Sequence, residues 1–199
     1  YHYHPSAKLC DTHFKYGTKG LVRSTYYNML MHYRGGKPFI ANIITMIKRA
    51  KSMVSYGKIL ILVPLISTIE VVLEKIKKDS FFNKLTCAGV DGSMSLSDKR
   101  KALECDIIIS TSMSMGVGVD ISDLSTVINF DQYASPIITE QIVGRLRTRK
   151  DDKNTHYFDI CDYVKYAKTI ANWGRKRRML LPYFPGVMSE IKRLPTIRV

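Results

Sequence analysis

From Ile40 the apolar positions fall at Ile40, Ile43, Ile44 and Ile47, while Lys48, Arg49 and Lys51 turn outward. That spacing is the period of an amphipathic helix, and Gly57 supplies its stop. Lys58-Ile-Leu-Ile-Leu-Val63 follows as an unbroken β-rich apolar run. A strand apolar on both faces belongs in the middle of a parallel sheet covered on both sides. Ser67-Thr-Ile-Glu70 has the spacing of a capping box. The helix behind it would carry Ile69, Val72, Leu73 and Ile76 on one face and a Glu74–Lys78 i,i+4 pair on the other.

The unit then recurs. The pattern predicts a weaker strand over 85–90, a helix near 96–104, a buried strand over 106–111 and a fourth strand over 126–130. Ser135-Pro136 is an N-cap followed by a favourable first-turn proline, opening a helix to about Arg149. A fifth strand is expected over 155–160 and a very basic helix over 163–181. Alternating strands and helices argue for an α/β fold with a parallel sheet sandwiched between helices. Residues 1–37 read as a linker or the end of a preceding domain, with one short helix at 21–33, residues 38–170 as the domain, and 171–199 as a basic C-terminal extension.

Composition narrows the classes. The chain has 199 residues, 45% apolar and 24% charged, enough for one ordinary core without staples. A disulfide miniature, a collagen and a wholly disordered chain are excluded. Thirty-one Lys and Arg against 17 Asp and Glu leave a net charge of +14, which points to a polyanionic partner or simply to a well-solvated surface. Cys10, Cys87, Cys105 and Cys161 form no C-x-x-C pair, so neither zinc nor disulfides are expected and the compartment reads as reducing and intracellular. His2, His4, Cys10 and His13 have no recognised ligand spacing. The longest apolar run, Ile59 to Ile66, contains Pro64 and is too short to span a bilayer. The chain starts at Tyr1 rather than Met and is expected to be a piece of a longer polypeptide.

Ligands of open α/β sheets sit at the carboxyl ends of the strands, and three segments fall there. The first runs from Ile107 through Thr111 and Ser112 to Gly116, Gly118 and Asp120. Glycines let the backbone approach a ligand, and Asp120 is placed to accept from a ribose hydroxyl. The same residues also make an ordinary tight loop. The second is Gln141-Ile-Val-Gly144-Arg145-Leu-Arg147-Thr-Arg149, which on a helix puts Gln141, Arg145 and Arg149 on one face, with Gly144 removing bulk beside Arg145. Guanidinium groups match phosphate oxygens bidentately, although a solvated basic helix would show the same pattern. The third is Val63-Pro64-Leu65, a loop suited to backbone contact with a nucleic-acid strand.

The order of these segments resembles the second RecA-like domain of superfamily 2 helicases over roughly 38–180. Ile59–Ser67 is similar to the family's motif IV. Ala88–Ser95 with Arg100 is similar to its His-Gly and Arg segment, with Asp91 where the His usually stands. Ser110–Asp120 resembles motif V, Gln141–Arg149 resembles motif VI, and Tyr157–Asp162 resembles the closing strand. The resemblance implies ATP and Mg2+ as cofactors and nucleic acid as partner. Arg145 would be the finger on the γ-phosphate and Gln141 the sensor of the γ-phosphate or attacking water. Gly118 and Asp120 would couple ribose and nucleic acid, and Thr111 or Ser112 would contact the nucleic-acid backbone. Thr148 stands where the family has a second arginine, leaving Arg147 or Arg149; sharing a face with Arg145 favours Arg149.

No G-x-x-x-x-G-K-[ST] and no Asp-Glu dipeptide occurs, so the nucleotide cradle and the magnesium ligand are expected on an N-terminal RecA-like domain, and the chain alone should be inactive. Arg175-Lys-Arg-Arg178, beside Trp173 and Tyr183, adds cations and aromatic rings for phosphates and bases. The Q-x-x-G-R-L-R ending and the D-I-C-D strand look closest to the DNA-repair and viral branch, with its phage branch-migration and poxvirus or African swine fever virus transcript-release helicases. DNA is favoured over RNA on that ground alone. A catalytically silent RecA-like nucleic-acid-binding module is the alternative.

Overall fold

The computed structural model describes residues 2–3, 23–32, 37–115, 120–131, 135–146, 155–162 and 168–183. In chain order the elements are β1 (His2–Tyr3), α1 (Arg23–His32), α2 (Lys37–Met53), β2 (Lys58–Val63), α3 (Ile66–Lys77), β3 (Cys87–Val90) and α4 (Leu96–Ala102). They continue with β4 (Ile107–Thr111), β5 (Leu124–Asn129), α5 (Pro136–Val143), β6 (His156–Asp159), β7 (Cys161–Asp162) and α6 (Lys168–Leu180). Five strands pair in parallel in the order β3-β4-β2-β5-β6, and β1 pairs with β7 in a small second sheet.

The pleat of the central strand divides the core in two. Ile59, Ile61 and Val63 of β2 point to one side, where α1, α2 and α3 bury Tyr26, Leu30, Ile43, Ile47, Ile69 and Val72. Leu60 and Leu62 point to the other, where α4 and α5 contribute Ala102 and Ile142. Burying such a side chain fully is worth about 1.5–3 kcal/mol. This is why the doubly apolar run of β2 occupies the sheet centre. α1, which lies within the segment read as a linker, buries Tyr26, Tyr27 and Leu30 in this core. Among the described residues no helix is long and apolar enough to cross a membrane.

Several local expectations shift. The capping box at Ser67 does not form: α3 starts at Ile66 with Leu65 at the cap, no side chain caps it, and the Thr68 amide bonds to the Leu65 carbonyl. Leu65 packs against the core instead, and this draws the helix start forward. The fourth strand begins at Leu124, which pairs with Lys58, and ends at Asn129. α5 opens as expected, with Ser135 Oγ accepting the Ile138 amide and a proline in the first turn, but it ends at Val143. The Gly144 amide closes the last turn on the Glu140 carbonyl, and Arg145 lies in the turn beyond.

β3 is held close to α3 by a missing side chain. A Cβ at Gly89 would sit 2.5 Å from Ile69 Cγ2 and 3.0 Å from Leu73 Cδ1. Ile69 is buried and β-branched, so it has little room to yield. Gly89→Ala is therefore expected to destabilise the fold by about 1–3 kcal/mol, read as a lower denaturation midpoint at unchanged slope. An unshifted midpoint would refute the close packing.

Candidate functional site

Register decides which loops meet. Val63 stands opposite Thr111, Leu62 opposite Asn129, and Asn129 opposite Asp159. The tips of β2, β4, β5 and β6 therefore share one edge. β2 sends its crossover towards β3 and β5 sends its own towards β6, so the sheet reverses direction between these two neighbours. The crevice at such a reversal is where α/β sheets bind ligands.

A cleft opens beside it, under α5. Its lining includes Leu60 and Leu62 of β2, Ser112 and Met115 of the loop after β4, and Gln141 and Arg145. Arg145 is half-buried, and its Nη2 donates to the Met115 carbonyl oxygen. Burial pushes the Arg145 guanidinium below its ordinary pKa, and the Asp120 carboxylate opposes that shift. An arginine remains charged under these conditions. The cleft thus holds a desolvated cation answered by a carbonyl and an acidic side chain, beside the exposed amide of Gln141.

Gln141 and Arg145 meet, but not by sharing a face of one continuous helix. Gln141 is in the last turn of α5, and Arg145 reaches the same cleft from the turn after it. A Cβ on Gly144 would lie 3.0 Å from the Glu140 carbonyl oxygen, so glycine suits the tight exit that aims Arg145. The expected helix to Arg149 is corrected to an end at Val143. Arg147, Arg149 and Gly118 lie outside the described residues. Asp120 is exposed at the loop's far end.

The two hydroxyls of the segment that resembles motif V separate. Thr111 is 7% exposed, and its Oγ1 accepts the Ser114 amide and pairs with Ser114 Oγ at 2.7 Å. It braces the loop from inside. Ser112 lines the cleft and donates to Asp131 Oδ2 at 2.9 Å. Pro64 is buried at the tip of β2, Leu65 is half-buried, and the first exposed residues are Ile66 and Ser67 in the opening turn of α3. Asp91, where the resembled family has a His, accepts the amide and hydroxyl of Ser93; these bonds hold its carboxyl below the usual range.

The basic helix is not uniformly a surface. Arg175 is exposed and donates to Asn172 Oδ1 at 2.8 Å. Arg178 is half-buried, and its Nε has no hydrogen-bond partner among the described residues. Arg177 is 1% exposed and paired with Asp159 at 3.0 Å. Sequence reasoning missed Arg177, Asp159, Asn129 and Asp131 as site residues. The available signal was polar residues at the carboxyl tips of apolar strands, in N-F-D and F-D.

The profile of the family described as "Helicase conserved C-terminal domain" matches residues 40–149, more than half of the chain. The chain belongs to that family. No curated protein matches it in sequence. Solved structures share the fold at low identity. The E. coli DEAD-box protein SrmB, bound to regulator of ribonuclease activity A, is 15% identical with a TM-score of 0.55, covering 73% of this chain and 80% of that one. The C-terminal domain of the DEAD-box protein Dbp5 is 16% identical with a TM-score of 0.56, covering 74% and 81%. S. cerevisiae Dbp5 bound to RNA and ADP BeF3 is 16% identical with a TM-score of 0.54. That alignment covers 75% of this chain and 38% of the longer Dbp5 chain. The helicase C-terminal domain therefore has the expected RecA-like architecture, a parallel sheet between helices.

Proposed function

We propose that this helicase C-terminal domain is the second half of an ATP-driven nucleic-acid motor, supplying Arg145 to a nucleotide held by an N-terminal RecA-like domain. The observation that carries the reading is the half-buried Arg145 lining a small crevice under α5, next to the strand tips, together with Gln141 and Ser112. A guanidinium and a side-chain amide suit a phosphate, and a phosphate accepts more strongly than the Met115 carbonyl that now engages Arg145. The nucleotide cradle and the magnesium ligand are proposed on the partner domain, since this sequence holds no G-x-x-x-x-G-K-[ST] and no Asp-Glu dipeptide.

ATP, when bound, supplies the bond whose cleavage drives the cycle. Arg145 would neutralise charge developing on the transferred phosphoryl group. Gln141 would orient the attacking water, and Arg149 is the proposed second finger. Asp120 with Gly118 would contact ribose, and Gly144 would keep the approach to Arg145 open. Ser112, Thr111 and the backbone at Pro64 would face the nucleic-acid strand, with Arg175 and Arg178 on its phosphates. Domain closure on ATP would then move that grip. The polymer is proposed as a nucleic acid recognised through its backbone. The preference for DNA and the viral branch depend only on the sequence resemblance, and the Dbp5 structure above contains RNA.

The 199-residue chain alone is expected to hydrolyse no ATP, whereas the polypeptide containing the Walker domain hydrolyses it in a nucleic-acid-stimulated manner. ATP turnover indifferent to both DNA and RNA would refute the motor reading. It would leave the silent binding module, which needs no aligned finger.

A further inference from the structure

Behind the strand tips runs one continuous chain of hydrogen bonds that the cleft does not require. Ser112 Oγ donates to Asp131 Oδ2 at 2.9 Å, and the Asp131 amide donates to Asn129 Oδ1 at 3.0 Å. Asn129 Nδ2 donates to the Tyr157 hydroxyl at 3.0 Å and to Asp159 Oδ1 at 3.4 Å. Arg177 Nε donates to the Asp159 carboxylate at 3.0 and 3.3 Å. The chain starts on the loop after β4, runs across the ends of β5 and β6 and finishes on α6.

It is also dry. Asn129, Asp131 and Arg177 are 2%, 3% and 1% exposed. A buried ion pair repays its desolvation only with good geometry and further hydrogen bonds, so it contributes little net stability. What it fixes well is direction. With Arg177 turned inward, and Gly174 buried one turn before it, the rotation of α6 is set. Arg175, two residues and about 200° away, is then forced to the solvent side, as is Lys176.

We propose that Arg177 and Asp159 are positioning residues. They set the rotation of α6 so that Arg175 and Lys176 face a nucleic-acid backbone. Through Asn129 and Asp131 they tie that helix to Ser112 on the loop beside the Arg145 cleft. The inference rests on the motor reading. It gives the basic helix a mechanical link to the nucleotide side of the domain rather than a merely electrostatic role.

The test is oligonucleotide-stimulated ATP hydrolysis by the full polypeptide, using single-stranded DNA and RNA of one sequence. In Arg177→Lys the half-saturating oligonucleotide concentration should rise about tenfold, and the slope of log affinity against log salt should flatten by about 1–2 as phosphate contacts are lost. At saturating oligonucleotide, kcat and the KM for ATP should stay within about twofold. An unchanged half-saturation overturns the proposal, whether or not kcat falls, because a purely structural role lowers only the active fraction. If Arg177→Lys melts below the assay temperature, Asp159→Glu keeps the charge but displaces the ion pair by one methylene. The same split is expected there, and its absence overturns the proposal. Ser112→Ala combined with Arg177→Lys should lose at least about threefold less affinity than the product of the single losses, whereas a strictly multiplicative loss overturns the tie. A wild-type protein with no oligonucleotide-stimulated turnover overturns the motor reading and this inference together, and is seen before any variant is made.

Discussion

Replacing Arg145 with Ala in the polypeptide that carries the nucleotide cradle is expected to lower kcat for ATP by about 10³–10⁵, the range for an arginine finger. That is roughly 4–7 kcal/mol of barrier. Because the proposed contact forms only as phosphoryl charge develops, kcat and kcat/KM should fall together while the KM for ATP stays nearly constant. Nucleic-acid binding should largely survive, since its proposed contacts come from other residues. Arg145→Lys should recover little, because an ammonium cannot reproduce the planar two-donor geometry. The side chain's position makes the test specific. Arg145 is half-buried at the rim of the cleft and engaged by the Met115 carbonyl, so its removal leaves a loop carbonyl unpartnered by it but no buried charge. Single-turnover ATP hydrolysis separates chemistry from binding. Near-normal turnover in Arg145→Ala would remove the finger role.

The readable parts of the fold were those where one kind of interaction decides the outcome. Lys58–Val63 and Ile107–Thr111 are apolar enough that only the sheet centre can hold them, and both lie there. Ser135-Pro136 combines a side-chain acceptor with a fixed backbone angle, and it caps α5 as read. Where two local preferences compete, packing chose between them. Ser67 and Glu70 have the spacing of a capping box, but burial of Leu65 starts α3 earlier. The periodicity of Gln141, Arg145 and Arg149 suggested one long helix face, yet the turn is already closed at Gly144. Gln141 and Arg145 still share a cleft because the turn returns the chain to it. The hydrogen-bonded chain from Ser112 to Arg177 was legible only as separate polar residues after apolar strands, not as a connected chain. Its members lie far apart in sequence, and only the register of β5 against β6 brings Asn129 to Asp159. Nothing local in Arg175-Lys-Arg-Arg178 marks the third residue as the buried one.

That buried residue carries the largest stability prediction. Arg177→Met is expected to cost about 3–5 kcal/mol, because it leaves the Asp159 carboxylate, whose side chain is 7% exposed, without its cation. Asn129 and Tyr157 would still reach that carboxylate, but at 3.4 Å, and neither carries charge. A domain of this size has only about 5–15 kcal/mol to lose, so the single variant should unfold at a markedly lower denaturant midpoint. The paired variant Arg177→Met with Asp159→Leu should recover most of the loss, since an apolar pair of similar volume replaces a buried ion pair at little net cost. Its recovery distinguishes an unpaired buried charge from a simple packing defect, which a second truncation would deepen. Asp159→Leu alone should fall as far as Arg177→Met, because it strands the guanidinium instead. If the double variant were less stable than either single one, the contribution of Arg177 would lie in its packed methylene stem and not in the ion pair.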